Sequence, residues 1–331
     1  MRVLESDEDL HRWDAWLVGS PQADPFATTA WLRHATAATG AGFQIRIAER
    51  GQEWVGGVFH AEKRRLGLKT SFGLPLAAYN TMLFRAPTGS APKRTIAERI
   101  EVATALLEAT AGRLMNVTHL LSPTIGDVRP WTWRGWRATP RYTHVLDVSR
   151  PLDLSDSARR HVRKCRDAGM TTSGEWDLAR FWELFRGTQE RQGFGIRLDR
   201  GTFERLAQGL HDAGMAWMVT VATNSGEPAA SQIVLAVPGT PGAFMWVAGA
   251  RTDLLASGVS THVMNEIAAE AGRRGHRAWD LCGADLPGVA RFKAELGGEL
   301  VSYFQVDAPR SWSELGYEAI RRIVRRVPGA G

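Results

Sequence analysis

The first half of the chain alternates between helical and strand-like spacing of its apolar residues. Leu10, Trp13 and Leu17 are spaced as on one face of a helix, and a second short helix is expected near Trp31. Short apolar runs bounded by Gly and Pro predict strands, and a longer run with a helical period predicts a helix. We expect strands at residues 44–48, 54–61, 82–84, 119–122 and 143–148, and the long helix at residues 95–115.

The pattern restarts near Arg150, where Pro151 and Asp153 interrupt the chain. Helices come first and are followed by three strands, and helices and strands then alternate until a last strand near Tyr303. The predicted helices lie at residues 157–168, 177–192, 200–213, 260–274 and 289–296. The predicted strands lie at residues 216–223, 229–237, 243–248 and 278–281.

Both halves share one order of elements: helices, two or three consecutive strands, a long helix and a strand. The long helix at 95–115 corresponds in this order to the helix at 260–274. Sequence identity between the halves is negligible, so the repeat is one of architecture. We therefore predict an α+β protein of two similar units, each a central mixed sheet flanked by helices, with units at residues 1–150 and 151–331.

Composition narrows the protein class. The chain has 331 residues, 44% of them hydrophobic, a net charge of +6 and a pI of about 9.7, which suits a globular protein with a polyanionic partner. Two cysteines exclude a disulfide scaffold and any zinc site built on CxxC pairs. The N-terminus is acidic, and no apolar run approaches about 18 residues, so we expect a cytoplasmic protein without a transmembrane segment.

Several segments resemble one enzyme family in order and spacing. They are GLPLAAYN at 73–80, THVLDVS at 143–149, SARRHVRKCRDAG at 157–169, the strand pair GEPAASQIVLAV and GAFMWVAGA, and GADLPGVARFKAELGG at 283–298. The chain is similar to acyltransferases of the GNAT fold, in the branch of the Fem-type (FemABX-like) aminoacyl-tRNA-dependent transferases. The resemblance implies tandem GNAT-like units and transfer of an aminoacyl group to an amine, with the donor on the second unit.

The donor-binding loop departs from the pattern of acetyl-CoA enzymes. Those enzymes hold the pyrophosphate on a loop (R/Q)xxGx(G/A), whereas this chain has RTDLLASGVS, which retains Arg251, Gly258 and Ser260 at other spacing. The resemblance makes Arg251 and Ser260 candidate donor-binding residues. Loss of the loop favours aminoacyl-tRNA as co-substrate. Acyl-CoA remains the alternative, and a non-catalytic module that binds RNA or protein is a third; no permanently bound cofactor is expected.

Lys293 is the first candidate catalytic residue. Acyl transfer builds negative charge on the attacked carbonyl oxygen, and the resemblance places this lysine near that oxygen. The resemblance also places Phe292 by the terminal base of the donor, and we assign Arg291 to the same donor site. As the general base, Asp285 in a loop is better placed than Asp280, which could instead cap the following helix.

The acceptor is expected between the two units, where it would be a cell-wall precursor or a small amine. The basic helix at 157–168 carries a one-sided stripe of arginines that suits phosphates but is also compatible with an ordinary solvated face. Trp246 and Gln232 lie on strands that receive the acyl group in the family, although Trp246 could equally serve core packing. The acceptor-binding candidates are Tyr79, Asn80, Arg159, Arg160, Arg163, Trp246 and Gln232.

The C-terminal segment YEAIRRIVRRV predicts an amphipathic basic helix. Ile320, Ile323, Val324 and Val327 share one face, and four arginines occupy the other. Docking on the protein is the default expectation, and contact with an RNA backbone or peripheral contact with an anionic membrane surface are alternatives.

Overall fold

The computed structural model describes residues 1–65, 68–87, 89, 92–110, 114–193 and 198–309. The predicted helix at 317–327 lies outside these residues. Among them, no helix is both long enough and apolar enough to span a bilayer. The first half contains one sheet of five strands in the order β1-β2-β3-β4, with β5 also paired to β3. Its strands are β1 (Arg2–Val3), β2 (Gly42–Arg50), β3 (Glu53–Arg65), β4 (Leu68–Ser71) and β5 (Met82–Phe84).

Three helices cover the first sheet. They are α1 (Asp7–Val18), α2 (Thr29–Thr39) and α3 (Pro92–Thr110). Ser6 caps α1 by accepting a hydrogen bond from the backbone N–H of Asp9, which satisfies one of the free amides of its first turn. Glycines let helices approach β3 closely: a Cβ at Gly56 would lie 2.5 Å from Val102 of α3, and one at Gly57 would lie 2.4 Å from Trp13 of α1.

The second sheet has eight strands in the order β6-β13-β7-β12-β11-β10-β9-β8. It is mixed, because β11 and β12 are parallel while its other described pairs are antiparallel. The strands are β6 (Thr118–Leu120), β7 (Arg137–Asp147), β8 (Thr171–Ser173), β9 (Ala216–Ala222), β10 (Pro228–Ala236), β11 (Gly242–Ala250), β12 (Ala278–Asp280) and β13 (Glu299–Asp307).

Helices pack on both faces of the second sheet. They are α4 (Arg129–Thr132), α5 (Asp156–Asp167), α6 (Leu178–Gln192), α7 (Arg200–Asp212), α8 (Val259–Arg273) and α9 (Pro287–Ala294). One core cluster fills the space between the sheet and α5 and α8. A second cluster joins α6 and α7 to the first half and contains Trp13, Phe203 and Tyr303. The hydrophobic core therefore runs continuously across the two halves.

The sheets are not divided at residue 150. Strands β6 and β7 precede that residue, yet both pair with β13 near the end of the described chain. The boundary near residue 150 stays a prediction, and it lies in the turn between β7 and α5. The described strand pairs of the first sheet are all antiparallel, so the expected mixed character is seen in the second sheet. The short strands β4 and β8 were not predicted.

Candidate functional site

A cavity of about 710 Å³ opens where β11 and β12 separate. The two strands pair only as far as Phe244 and Asp280; beyond them, β11 continues to Ala250 without a partner on that side among the described strands. The pairing of β11 with β10 also shifts, since Ile233 faces Val247 but Val234 faces Met245, which leaves Trp246 as an extra residue. The part of β11 without a strand partner on that side therefore borders the cavity.

Lys293 of α9 lines this cavity with a side chain that is only 3% exposed. Its Nζ donates hydrogen bonds to the backbone oxygens of Leu281 and Gly283, the latter at 2.5 Å. Burial lowers the pKa of Lys293, and the nearby Cys282 and Asp280 oppose that shift. An ammonium has three N–H donors, and the third has no partner among the described residues. It is available to an oxygen atom in the cavity.

Phe292, Ser260 and Trp246 line the same cavity. Ser260 lies in the first turn of α8, opposite α9. The indole N–H of Trp246 donates to the backbone oxygen of Leu76 at 3.2 Å, and its ring stacks on Phe203 at 5.7 Å. Leu76 belongs to the first half and also lines the cavity, so both halves build this site.

Gln232 of β10 lines the cavity and is fully buried. Neither its Nε2 nor its Oε1 has a hydrogen-bond partner among the described residues. Its neighbour Ser231 differs, because that hydroxyl bonds the Thr220 hydroxyl at 2.8 Å on the adjacent strand. Buried amides are normally hydrogen-bonded, so an amide without a described partner beside a cavity makes Gln232 a candidate for a ligand contact.

Three predicted residues lie outside the described lining of the cavity. Arg291 is exposed on another face of α9 from Lys293. Arg251 forms an ion pair with Asp253 at 2.6 Å. The carboxylate of Asp285 pairs with Arg141 at 3.1 Å and accepts the backbone N–H of Tyr142. The geometry thus engages Asp285 at the surface instead of directing it to the cavity.

Tyr79 and Asn80 also make internal contacts instead of lining the cavity. The Tyr79 side chain is buried, and its hydroxyl donates to Asp280 Oδ2 at 2.7 Å. The Asn80 amide donates to the backbone oxygen of Thr118 at 2.6 Å and accepts the backbone N–H of Leu120. Both residues line a separate cavity of about 170 Å³, and their expected role of holding an acceptor stays a prediction.

The basic helix α5 lies beside the N-terminal end of α8. A Cβ at Gly258 would lie 2.3 Å from His161 of α5, and Lys164 Nζ reaches the backbone oxygen of Ala256 at 3.5 Å. The three predicted arginines of this helix are exposed, and Arg159 among them pairs with Asp156 at 2.9 Å. The stripe formed by Arg159, Arg160 and Arg163 therefore faces solvent near the Ser260 rim of the cavity.

Sequence reasoning did not predict that Asp280 and Asp24 are buried. Asp280 accepts hydrogen bonds from the hydroxyls of Tyr79 and Thr143, each at 2.7 Å, and from the backbone N–H of Cys282. Burial raises the pKa of Asp280 despite these bonds, and burial also raises the pKa of Asp24 to about 7. Asp280 does not cap the following helix, whose first turn has no side-chain cap. Nothing in the local sequence marks an acid as buried.

Comparison with known families decides the class of the site. Residues 154–294 match the family model described as an acetyltransferase (GNAT) domain. The chain carries a GNAT acyltransferase domain. Every residue that lines the cavity, except Leu76, lies within this GNAT segment. None of the curated protein sequences compared with the chain matches it.

Solved structures share the fold of the whole chain, in which GNAT units occur in tandem. The crystal structure of FemX superposes with a TM-score of 0.72 and 15% identity, covering 97% of this chain and 100% of FemX. The C-terminal domain of a putative lysylphosphatidylglycerol synthetase from Agrobacterium fabrum gives 0.59 at 11% identity, covering 98% of each chain. A tandem GNAT protein from the clavulanic acid biosynthesis pathway gives 0.52 at 12%, covering 94% and 100%.

Proposed function

We propose that this protein forms an amide bond by transferring an aminoacyl group from aminoacyl-tRNA to an amine acceptor. The observation that carries the proposal is the buried ammonium of Lys293, which lines the cavity and bonds two backbone oxygens, so that one of its three N–H donors has no partner among the described residues. In the reaction, the amine attacks the acyl carbonyl carbon and negative charge develops on its oxygen. A fixed cationic donor stabilises that charge more than it stabilises the ground state.

The proton balance is simple. The new C–N bond forms as the ester C–O bond breaks, and the proton that the amine loses passes to the leaving ribose oxygen. Among the described residues that line the cavity, the charged ones are Arg191 and Lys293, and no carboxylate is present. We therefore infer that the substrate itself assists the proton transfer, with no protein carboxylate as general base.

Three features support aminoacyl-tRNA as the donor. Phe292 offers an aromatic face beside Lys293, on which a terminal base can stack. The exposed arginine stripe of α5 lies near the Ser260 rim, where it could contact phosphates. The chain also shares its fold with a domain of a lysylphosphatidylglycerol synthetase, a name that describes an aminoacylated product. Gln232 and Trp246 are then proposed to hold the acceptor.

Acyl-CoA is the second candidate donor, because the matching family model is that of an acetyltransferase. The N-terminal turn of α8 supports this candidate, since Gly258 precedes it and no side chain caps its free amides. The deciding experiment incubates the protein with charged tRNA or with acyl-CoA and a panel of amines. RNase-sensitive amide product supports the proposal, and release of acyl groups from CoA with tRNA untouched overturns it.

The role of Lys293 has its own test. Lys293→Met should lower kcat by about a hundredfold because the donor to the developing oxyanion is lost. Lys93→Met is the matched control, since Lys93 is an exposed lysine on α3 of the first half. Circular dichroism and thermal unfolding of both variants show whether the fold persists. Unchanged turnover of folded Lys293→Met would remove this lysine from the mechanism.

A further inference from the structure

A chain of hydrogen bonds leads from the first half of the protein to the loop that holds Lys293. The Tyr79 hydroxyl donates to Asp280 Oδ2 at 2.7 Å. The other oxygen of Asp280 accepts the Thr143 hydroxyl at 2.7 Å and the backbone N–H of Cys282 at 2.8 Å. The Thr143 oxygen in turn accepts the backbone N–H of Gly283 at 3.1 Å. The carboxylate thus fixes two consecutive amides of the loop after β12.

The loop has a backbone conformation that is uncommon for a residue other than glycine. Cys282 has φ of +53° and Gly283 has φ of +92°, so a non-glycine residue occupies the left-handed region. This turn brings the backbone oxygens of Leu281 and Gly283 to the same point, where both accept hydrogen bonds from Lys293 Nζ. The position of the ammonium is therefore set by the turn, and the turn is set by Asp280.

We propose that Tyr79 and Asp280 are positioning residues for Lys293, so that the first half of the protein controls the geometry of acyl transfer in the second. The inference rests on the proposed function, in which Lys293 contacts the acyl oxygen. Tyr79 is the described partner of Asp280 Oδ2, and loss of its hydroxyl leaves a buried carboxylate oxygen without a donor. The carboxylate then shifts or takes up a proton, and the turn loosens.

Tyr79→Phe tests this inference with little disturbance of packing. The Tyr79 ring contacts Tyr303 at 5.4 Å and Phe244 at 6.5 Å between centroids, and phenylalanine preserves both contacts. We expect kcat to fall about tenfold, because a less precisely positioned Lys293 ammonium stabilises the transition state less. The KM of each substrate should stay within about twofold. Tyr142→Phe is the matched control, since the Tyr142 side chain is 43% exposed and its hydroxyl is not among the described partners of Asp280.

The deciding measurement is the double variant Tyr79→Phe/Lys293→Met. If Tyr79 acts through Lys293, removing its hydroxyl causes no further loss of kcat in the Lys293→Met background. Asp280→Asn should show the same dependence, and Tyr79→Phe alone keeps the test valid if Asp280→Asn does not fold. An equal tenfold loss in both backgrounds, or no loss in either, would overturn the inference. An inactive Lys293→Met with a fully active Tyr79→Phe overturns this inference alone. An active Lys293→Met removes Lys293 from the mechanism and this inference with it, whereas acyl release from CoA with tRNA untouched overturns the proposed function.

Discussion

The two halves of the chain differ in the space between two corresponding strands. In element order, β5 and β6 of the first half correspond to β11 and β12 of the second. Asn80, which precedes β5, bonds the backbone of Thr118 and Leu120 through both groups of its side chain and so ties this segment to β6, beside a smaller cavity of about 170 Å³. In the second half, β11 separates from β12 after Phe244, and the gap is a cavity of about 710 Å³.

Two buried glutamines show the same contrast. Gln22 in the first half donates to the Thr124 hydroxyl at 3.0 Å and accepts the backbone N–H of Phe84 at 3.0 Å. Gln232 in the second half is equally buried, and neither amide atom has a partner among the described residues. An unsatisfied buried amide costs stability, so a protein retains one where another molecule completes its hydrogen bonds. The contrast between these two side chains makes Gln232 the candidate for a ligand contact and Gln22 a structural residue.

The largest effect is expected from Asn80→Leu. The substitution removes both side-chain hydrogen bonds and leaves the Leu120 N–H and the Thr118 oxygen without these partners. We expect the free energy of unfolding to fall by about 4 kcal/mol, measured by urea denaturation. Asn224→Ala, in an exposed turn, should change it by less than about 0.5 kcal/mol. A loss below about 1 kcal/mol in Asn80→Leu would show that the gap closes without this amide.

Asp24 is one of several buried polar residues of the first half that have an atom without a partner among the described residues. Its Oδ2 is buried without a partner among the described residues, and burial raises its pKa from 3.8 to about 7. Between these values the folded state binds a proton that the unfolded state has released, so stability falls as pH rises. The expected loss is about 2 kcal/mol between pH 5 and pH 7.

Asp24→Asn isolates this contribution. The variant carries no titrating group at position 24, and its side-chain oxygen can still accept the backbone N–H of Ala27. Its unfolding free energy should depend less on pH than that of the wild type over the same interval, with the two curves converging as pH falls. Parallel curves from urea denaturation at pH 5, 6 and 7 would show that Asp24 is ionised in the folded protein.

Much of the site followed from the sequence because its residues lie on regular elements. Alternation along β10 and β11 predicted the strands that carry Gln232 and Trp246, and the helical period after β12 predicted the helix with Phe292 and Lys293. The structure brings these four side chains to one cavity. On a regular strand or helix, the position of a residue in the sequence determines the face on which its side chain lies, so the site follows once the strand order is known.

The rest depended on tertiary contacts that a local pattern does not encode. Arg291 is two residues from Lys293, and that spacing places the two side chains on different faces of a helix. The burial of Asp280 was not predictable from its neighbours in the sequence, because its carboxylate meets Tyr79, 201 residues away in the chain. The open cavity itself arises because a strand edge remains unpaired, which no composition or period reveals.

The smallest expected change in stability, and the one that tests the contrast most directly, concerns Gln232→Leu. Leucine removes a buried amide that has no partner among the described residues, so the free energy of unfolding should rise by about 1 kcal/mol. If Gln232 holds the acceptor, as proposed, the KM for the amine should rise about tenfold while the KM for the donor stays within about twofold. Thermal unfolding and steady-state kinetics measure both effects.

Gln22→Leu is the matched control. The same substitution at this position removes a buried amide that forms hydrogen bonds with Thr124 and Phe84. It should lower the free energy of unfolding by about 2 kcal/mol and leave both KM values unchanged. Opposite signs for the two leucine variants would establish that the second half gives up stability for a ligand contact. If Gln232→Leu is instead destabilised as much as Gln22→Leu, the Gln232 amide is satisfied within the folded protein, and its assignment to the acceptor fails.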